Sequence, residues 1–122
     1  MMSGETMKFR KPDINIYEYL DYRKFLKDWY NAAKEKWQFS YRNFSKRAGF
    51  ESSGILKRVI DGDRNLTETS IQKFAKGLNL TKHEEKYFAK LVIFNQSTDH
   101  DQKNIYYQRL LKARKYSKIK TL

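Results

Sequence analysis

Apolar residues along this chain recur at spacings of three and four, and residues that start or stop helices break the pattern. Pro12, the only proline, blocks helix ahead of it. Asp13 or Asn15 can cap the first helix, and Asn15 with Glu18 makes a box-like start. From Ile16 to about Trp37, the residues Tyr19, Tyr22, Leu26, Trp29 and Ala33 share one helical face, which Leu20, Phe25 and Tyr30 widen. A long first helix, buried on that side, is expected there.

Shorter helices come next. Ser40 caps a second, Tyr41 to Ala48, with Phe44 and Ala48 inward; Gly49 ends it in the left-handed region and Phe50 plugs the turn. Ser52 or Ser53 caps a third, about Gly54 to Asp61, with Ile55, Leu56, Val59 and Ile60 buried, and Gly62 stops it. Asp63-Arg64-Asn65 is a polar connector, after which Leu66 tucks onto the core. Thr67 caps a fourth helix, Glu68 to Leu78, with Ile71, Phe74, Ala75 and Leu78 inward. Thr81 and Glu84 form a capping box for a fifth, reaching about Gln96. Its apolar arc, Tyr87, Phe88, Leu91, Val92, Ile93 and Phe94, is wide enough for contact on two sides. Ser97 to Gln102 reads as a polar break, and Lys103 to about Lys115 as a sixth helix with Ile105, Tyr106, Leu110 and Leu111 along one side. No run alternates with period two, so the expected class is all-α, with five to six helices. The expected division is a basic arm over 1–12, a helical domain over 13–96 with its centre at 40–80, and a C-terminal helix and tail over 97–122.

The stretch Ser40 to Leu80 has the form of a helix-turn-helix: a capped short helix, an Ala-Gly turn, and a second short helix able to enter a DNA groove. Small residues at the tip of that second helix let its backbone approach base edges, and long basic residues further along reach bases or phosphates. Ser52, Ser53, Lys57 and Arg58 are therefore the base-reading candidates. Phosphates are anchored at helix N-termini and by nearby cations. Ser40, Tyr41, Arg42 and Lys46 suit that role, as do Arg64 and Asn65 in the loop after the second helix. Taken singly, Ser52 and Ser53 read more readily as an N-cap, and Lys57 and Arg58 as a solvated face; the joint pattern favours DNA.

Charge sharpens this picture. The 122 residues carry 26 Lys and Arg against 14 Asp and Glu, a net +12. That exceeds the roughly 2 to 8 that solubility asks of a small domain, and it points to a polyanionic partner. From Lys103 onward there are seven Lys or Arg and no acid. The absence of Cys excludes disulfides and thiolate metal sites. No apolar run approaches the ~20 residues of a membrane span, and the N-terminus lacks a hydrophobic signal core. Expected location is the cytoplasm of a bacterium. His83 and His100 lack metal-ligand spacing, Glu84-Glu85 is a helix start, and no glycine-rich phosphate loop is present. Neither enzyme activity, cofactor nor metal is expected.

Ala48-Gly49, Gly62-Asp63-Arg64-Asn65 and Phe74-Ala75-Lys76-Gly77-Leu78 carry a resemblance to the XRE-type helix-turn-helix of the Cro and CI repressors. It covers roughly Tyr41 to Thr81. In this chain the Gly49–Gly62 interval is one residue longer than the pattern, Leu66 stands where it has proline, and Glu51-Ser52-Ser53 where it has glutamine. More closely, IYEYLDYRKFLKDWY, FSYRNFSKRAGF, VIDGDRNLTETSIQKFAKGLNL and LVIFNQ resemble the N-terminal region of a bacterial family of predicted transcriptional regulators. Its members usually carry a further, uncharacterised C-terminal domain, which the residues up to Leu122 do not include. The resemblance implies a lambda-repressor-like fold, double-stranded DNA as partner and a homodimer. Ile93, Phe94, Ile105, Tyr106 and Leu110 are candidates for the dimer surface, with packing on the first helix as the alternative. Two other functions stay open: a protein-interaction module on the same scaffold, motivated by Glu51 and Asp61, and a nonspecific nucleic-acid binder.

Overall fold

A computed structural model describes the backbone of residues 11–121 and the side chains of residues 11–118. It is all-helical, with no strand among the described residues. A 3-10 turn, Ile16–Glu18, precedes six helices: α1 (Tyr22–Trp37), α2 (Tyr41–Ala48), α3 (Ile55–Ile60), α4 (Glu68–Gly77), α5 (Lys82–Gln96) and α6 (His100–Thr121). The expected arm lies outside the described residues as far as residue 10. Of its last two residues, Lys11 forms an ion pair with Glu84 and Pro12 is buried.

The core is largely aromatic and runs through the whole molecule. Phe88 of α5 meets Tyr22 and Phe25 of α1, with ring centroids 6.4 and 6.2 Å apart. Trp29 of α1 meets Phe39 and Phe44, and Phe44 meets Phe74 of α4 edge-on at 4.9 Å. Such tilted and edge-to-face pairs add to the burial of their large apolar areas. Leu110 of α6 belongs to the same cluster and is fully buried. The core therefore crosses the division expected near residue 97.

Three of the six helix starts agree with the sequence. Ser40 with Asn43 and Thr81 with Glu84 form complete capping boxes, and Thr67 caps α4 by accepting from the Ser70 amide. Gly49 sits at φ 88° at the end of α2. Three expectations are corrected. First, helix does not run on from Ile16. Asn15 caps only the 3-10 turn, Tyr19 is extended, and α1 begins at Tyr22 with Asp21 as its cap, accepting from the Arg23 and Lys24 amides. Leu20 lies in this break and is exposed instead of widening the buried face. Second, the N-cap of α3 is Gly54, without a side-chain cap bond; Ser52 Oγ only accepts from the Gly54 amide at 3.4 Å. Third, α6 begins at His100, not Lys103, because the Asp99 carboxylate accepts from the Asp101 amide and the Asp99 carbonyl from the Lys103 amide. It also runs on to Thr121.

Gly77 shows how closely α2 and α4 approach. A Cβ there would lie 2.8 Å from the Phe44 ring and 2.9 Å from Ala48 Cβ, both of them core atoms. Gly77→Ala should lower stability by about 1–3 kcal/mol through overpacking. Exposed Lys76→Ala should stay within about 0.5 kcal/mol. Urea unfolding of both variants checks this.

The buried Tyr22 phenol donates to Gln96 Oε1 at 2.6 Å, and desolvation pushes its pKa up from 10 to about 12. Between those values the unfolded chain releases the proton first, so stability falls as pH rises through that window. Tyr22→Phe should lower stability at pH 7 by about 1 kcal/mol yet decline less steeply than the parent between pH 10 and pH 12. Denaturant melts across that range supply the comparison.

Candidate nucleic-acid interface

The turn between α2 and α3 is fixed from within. Ser45, a buried polar residue, donates its hydroxyl to the Ser52 carbonyl at 2.6 Å. The Gly49 and Phe50 amides both return to the Ser45 carbonyl at 2.9 Å. Phe50 then packs edge-on against Phe74 at 5.6 Å. Together these contacts hold Ser52 and Ser53 exposed at the entrance to α3.

With Ile55, Leu56 and Val59 buried beneath it, α3 turns Lys57 and Arg58 outward. Lys57 is not free: its Nζ donates to Asp61 at 2.6 Å, an i,i+4 pair. The Asp61 hydrogen bond and charge raise the Lys57 pKa, with smaller effects from Tyr41 and Asp63. The same coupling seen from Tyr41, whose phenol is raised chiefly by burial, puts the first residue of α2 beside the Lys57–Asp61 pair. Arg58 is exposed and forms no ion pair among the described residues.

The phosphate-contact candidates divide into two groups. Arg42 and Lys46 of α2 are exposed, as is Arg64 after α3. The others have internal duties. Ser40 spends its hydroxyl on the capping box with Asn43. Tyr41 stacks its ring on Tyr30, centroids 4.0 Å apart. Asn65 Oδ1 accepts from Arg23 Nη2 at 2.7 Å. Of the dimer-surface candidates, Leu110 is fully buried and cannot meet a second copy. Phe94 is half-buried against Tyr107 and under the Lys103 ammonium. Ile105 remains about half exposed, and Ile93 and Tyr106 are half-buried.

Arg23 is the positioning residue that the sequence did not reveal. From α1 it donates to the Val59 carbonyl at the end of α3, to the Arg64 carbonyl and to Asn65. Its guanidinium also lies 4.8 Å from the centroid of the Tyr22 ring. It thus adds a second donor to the Val59 carbonyl, which already accepts from the Gly62 amide, and supplies one to the Arg64 carbonyl in the loop beyond. Its partners are 36 to 42 residues away, so no local pattern announces it.

Comparison with family models, curated proteins and solved structures returned no match.

Arg23→Ala should free the loop after α3 while leaving α5 intact. Hydrogen exchange of the Gly62 and Asp63 amides, which donate to the Val59 and Arg58 carbonyls, should quicken on the order of tenfold, about 1.4 kcal/mol of local opening. Amides in the middle of α5 should keep their rates.

Proposed function

We propose that this chain is a DNA-binding transcriptional regulator built on an XRE-type, lambda-repressor-like helix-turn-helix. In this reading α2 lies over the DNA backbone and α3 enters the major groove, with the turn between them tied by the Ser45–Ser52 bond and the exit of α3 tied to α1 by Arg23. The observation that carries it is the outward face of α3. Ser52 and Ser53 stand exposed just ahead of a short helix whose other side is core, and Lys57 and Arg58 stand exposed on it, in a chain of net charge +12. Ser52, Ser53 and Arg58 are the base-reading set, with Lys57 joining once Asp61 releases it. Arg42, Lys46 and Arg64 hold phosphates. The working form is a cytoplasmic homodimer meeting through Ile93, Phe94, Ile105 and Tyr106, its reading helices one DNA turn apart.

One feature favours a second reading, a protein-interaction module. Around α3 the cations are interleaved with exposed Glu51, Asp61 and Asp63, a mixed-sign surface that also suits a protein partner.

Fluorescence anisotropy on library-selected and random duplexes, across salt, separates the two. A regulator prefers selected sites by at least ~10³. Equal, purely salt-driven affinity indicates a nonspecific binder, and no binding near ~50 mM salt indicates the interaction module. Within the regulator reading, Arg58→Ala should cost about 1–3 kcal/mol on the selected site and relax discrimination, whereas Arg42→Ala should weaken every duplex alike. Asp61→Asn should release Lys57 and tighten binding to random duplexes.

A further inference from the structure

Well apart from α3, α5 and α6 lie side by side and enclose an open groove of about 610 Å³ with the 3-10 turn at one end. That volume falls within the roughly 300–1,000 Å³ typical of small-molecule clefts. Tyr17, Tyr116 and Ala113 line it together with the edge of the nearly buried Tyr87, and most of its surface is apolar. Four cations also line it, Lys86 and Lys90 of α5 and Arg109 and Lys112 of α6; the Arg109 guanidinium lies 4.9 Å from the centroid of the Tyr106 ring. Glu84 is the one carboxylate of the lining, and it is already engaged. Burial alone would raise its pKa, but hydrogen bonds from Lys11 and the Thr81 amide hold it low, so its charge is balanced within the fold.

We propose that this groove is a binding site for a small amphipathic anion, with an acidic head held by Lys90 and Arg109 and an apolar tail laid along the tyrosine walls.

Two observations specify that chemistry. An apolar trough between two helices offers burial to a hydrocarbon or aromatic body, worth about 25 cal/mol per Å² removed from water. The cations at its edge repel one another. Lys90 is half-buried, and its pKa is lowered by desolvation and then by the charges of Lys86 and Arg109. An anion seated among these groups relieves both effects, whereas a neutral or cationic guest relieves neither. Inorganic phosphate answers the charge but leaves the apolar walls wet. The occupant is therefore a monomeric carboxylate or phosphate ester bearing a tail, not a bare ion.

The contacts around the groove also give it a route to the rest of the fold. Arg114 of α6 donates to the Tyr17 carbonyl at 2.6 Å, and the Tyr87 hydroxyl donates to the Tyr19 carbonyl at 2.9 Å. A guest between α5 and α6 thus touches the elements that hold the chain leading into α1.

Isothermal titration of the full chain with decanoate tests the site, beside acetate, inorganic phosphate and decyltrimethylammonium. Decanoate should bind at least tenfold more tightly than each of the other three. Lys90→Gln and Arg109→Gln should each weaken decanoate by fivefold or more, with melting curves confirming that both fold, while Lys34→Gln on α1 should bind like the parent. Equal binding of acetate or phosphate would reduce the groove to ion exchange, and equal binding of decyltrimethylammonium to a plain apolar surface. Either result, no decanoate binding, or parental affinity in both groove variants overturns the proposal. None of these measurements uses DNA, so the outcome is independent of the reading given to α3.

Discussion

The Gln96 side chain does for Leu66 what a neighbouring strand would do. Its Oε1 accepts from the Leu66 amide at 2.8 Å, and its Nε2 donates to the Leu66 carbonyl at 3.0 Å. The same Oε1 accepts from the Tyr22 hydroxyl, and the adjacent Asn95 accepts from the Tyr22 amide and donates to the Leu20 carbonyl. The last turn of α5 therefore supplies hydrogen bonds to two stretches that lack helical partners, the entry to α1 and the approach to α4. Buried backbone groups without partners cost about 1–3 kcal/mol each. These amides remove that cost where helices alone could not. The consequence reaches α3. Gln96 fixes the far end of its exit loop and Arg23 the near end, so α5 and α1 together determine how α3 is presented.

Features governed by local chemistry were legible in the sequence. The Ser40, Thr67 and Thr81 caps, the glycine at the end of α2 and the inward faces of α2, α4 and α5 each depend on residues within one or two turns. What escaped depends on distant partners or on competition between caps. The face that Tyr19, Tyr22 and Leu26 suggest runs without interruption, yet the helix breaks before Tyr22. Asp21 is a better cap in place, and Asn95, from 73 residues away, rewards the break. Asp99 likewise pre-empts Lys103 as the start of α6 because a carboxylate facing free amides outweighs the polarity of the segment. Periodicity grouped Leu110 with Ile105 and Tyr106, but only packing decides which of the three is covered. The exposed face of α3 was legible as a set of positions; the engagement of Lys57 by Asp61 was readable from their i,i+4 spacing, and that of Asn65 by Arg23 was not.

Net charge and candidate interface turn out to be separate matters. Much of the basic charge is spread over surfaces other than α3, including the acid-free run from Lys103 onward. Around α3 the signs are mixed. Exposed pairs such as Lys57–Asp61 contribute little to stability. Their weight lies in what they withhold from a partner: a lysine held by a neighbour offers less to DNA than its charge suggests. In the proposed reading a polyanion would be drawn in by the whole field, while its placement on α3 would depend on a few exchangeable side chains.

Leu110 has a mechanical meaning beyond its burial. Helix α6 has 22 residues, about 33 Å at about 1.5 Å per residue, yet Leu110 is its one fully buried side chain among those described. On one side of it Lys103 grips the Phe94 carbonyl, and on the other Arg114 grips the Tyr17 carbonyl. These grips stand about 10 and about 6 Å from Leu110 along the axis. Half-buried Tyr107 and Ala113 lie on either side of Leu110, so the helix is seated at its middle by an apolar socket and moored on each side by a basic side chain that reaches a carbonyl outside it.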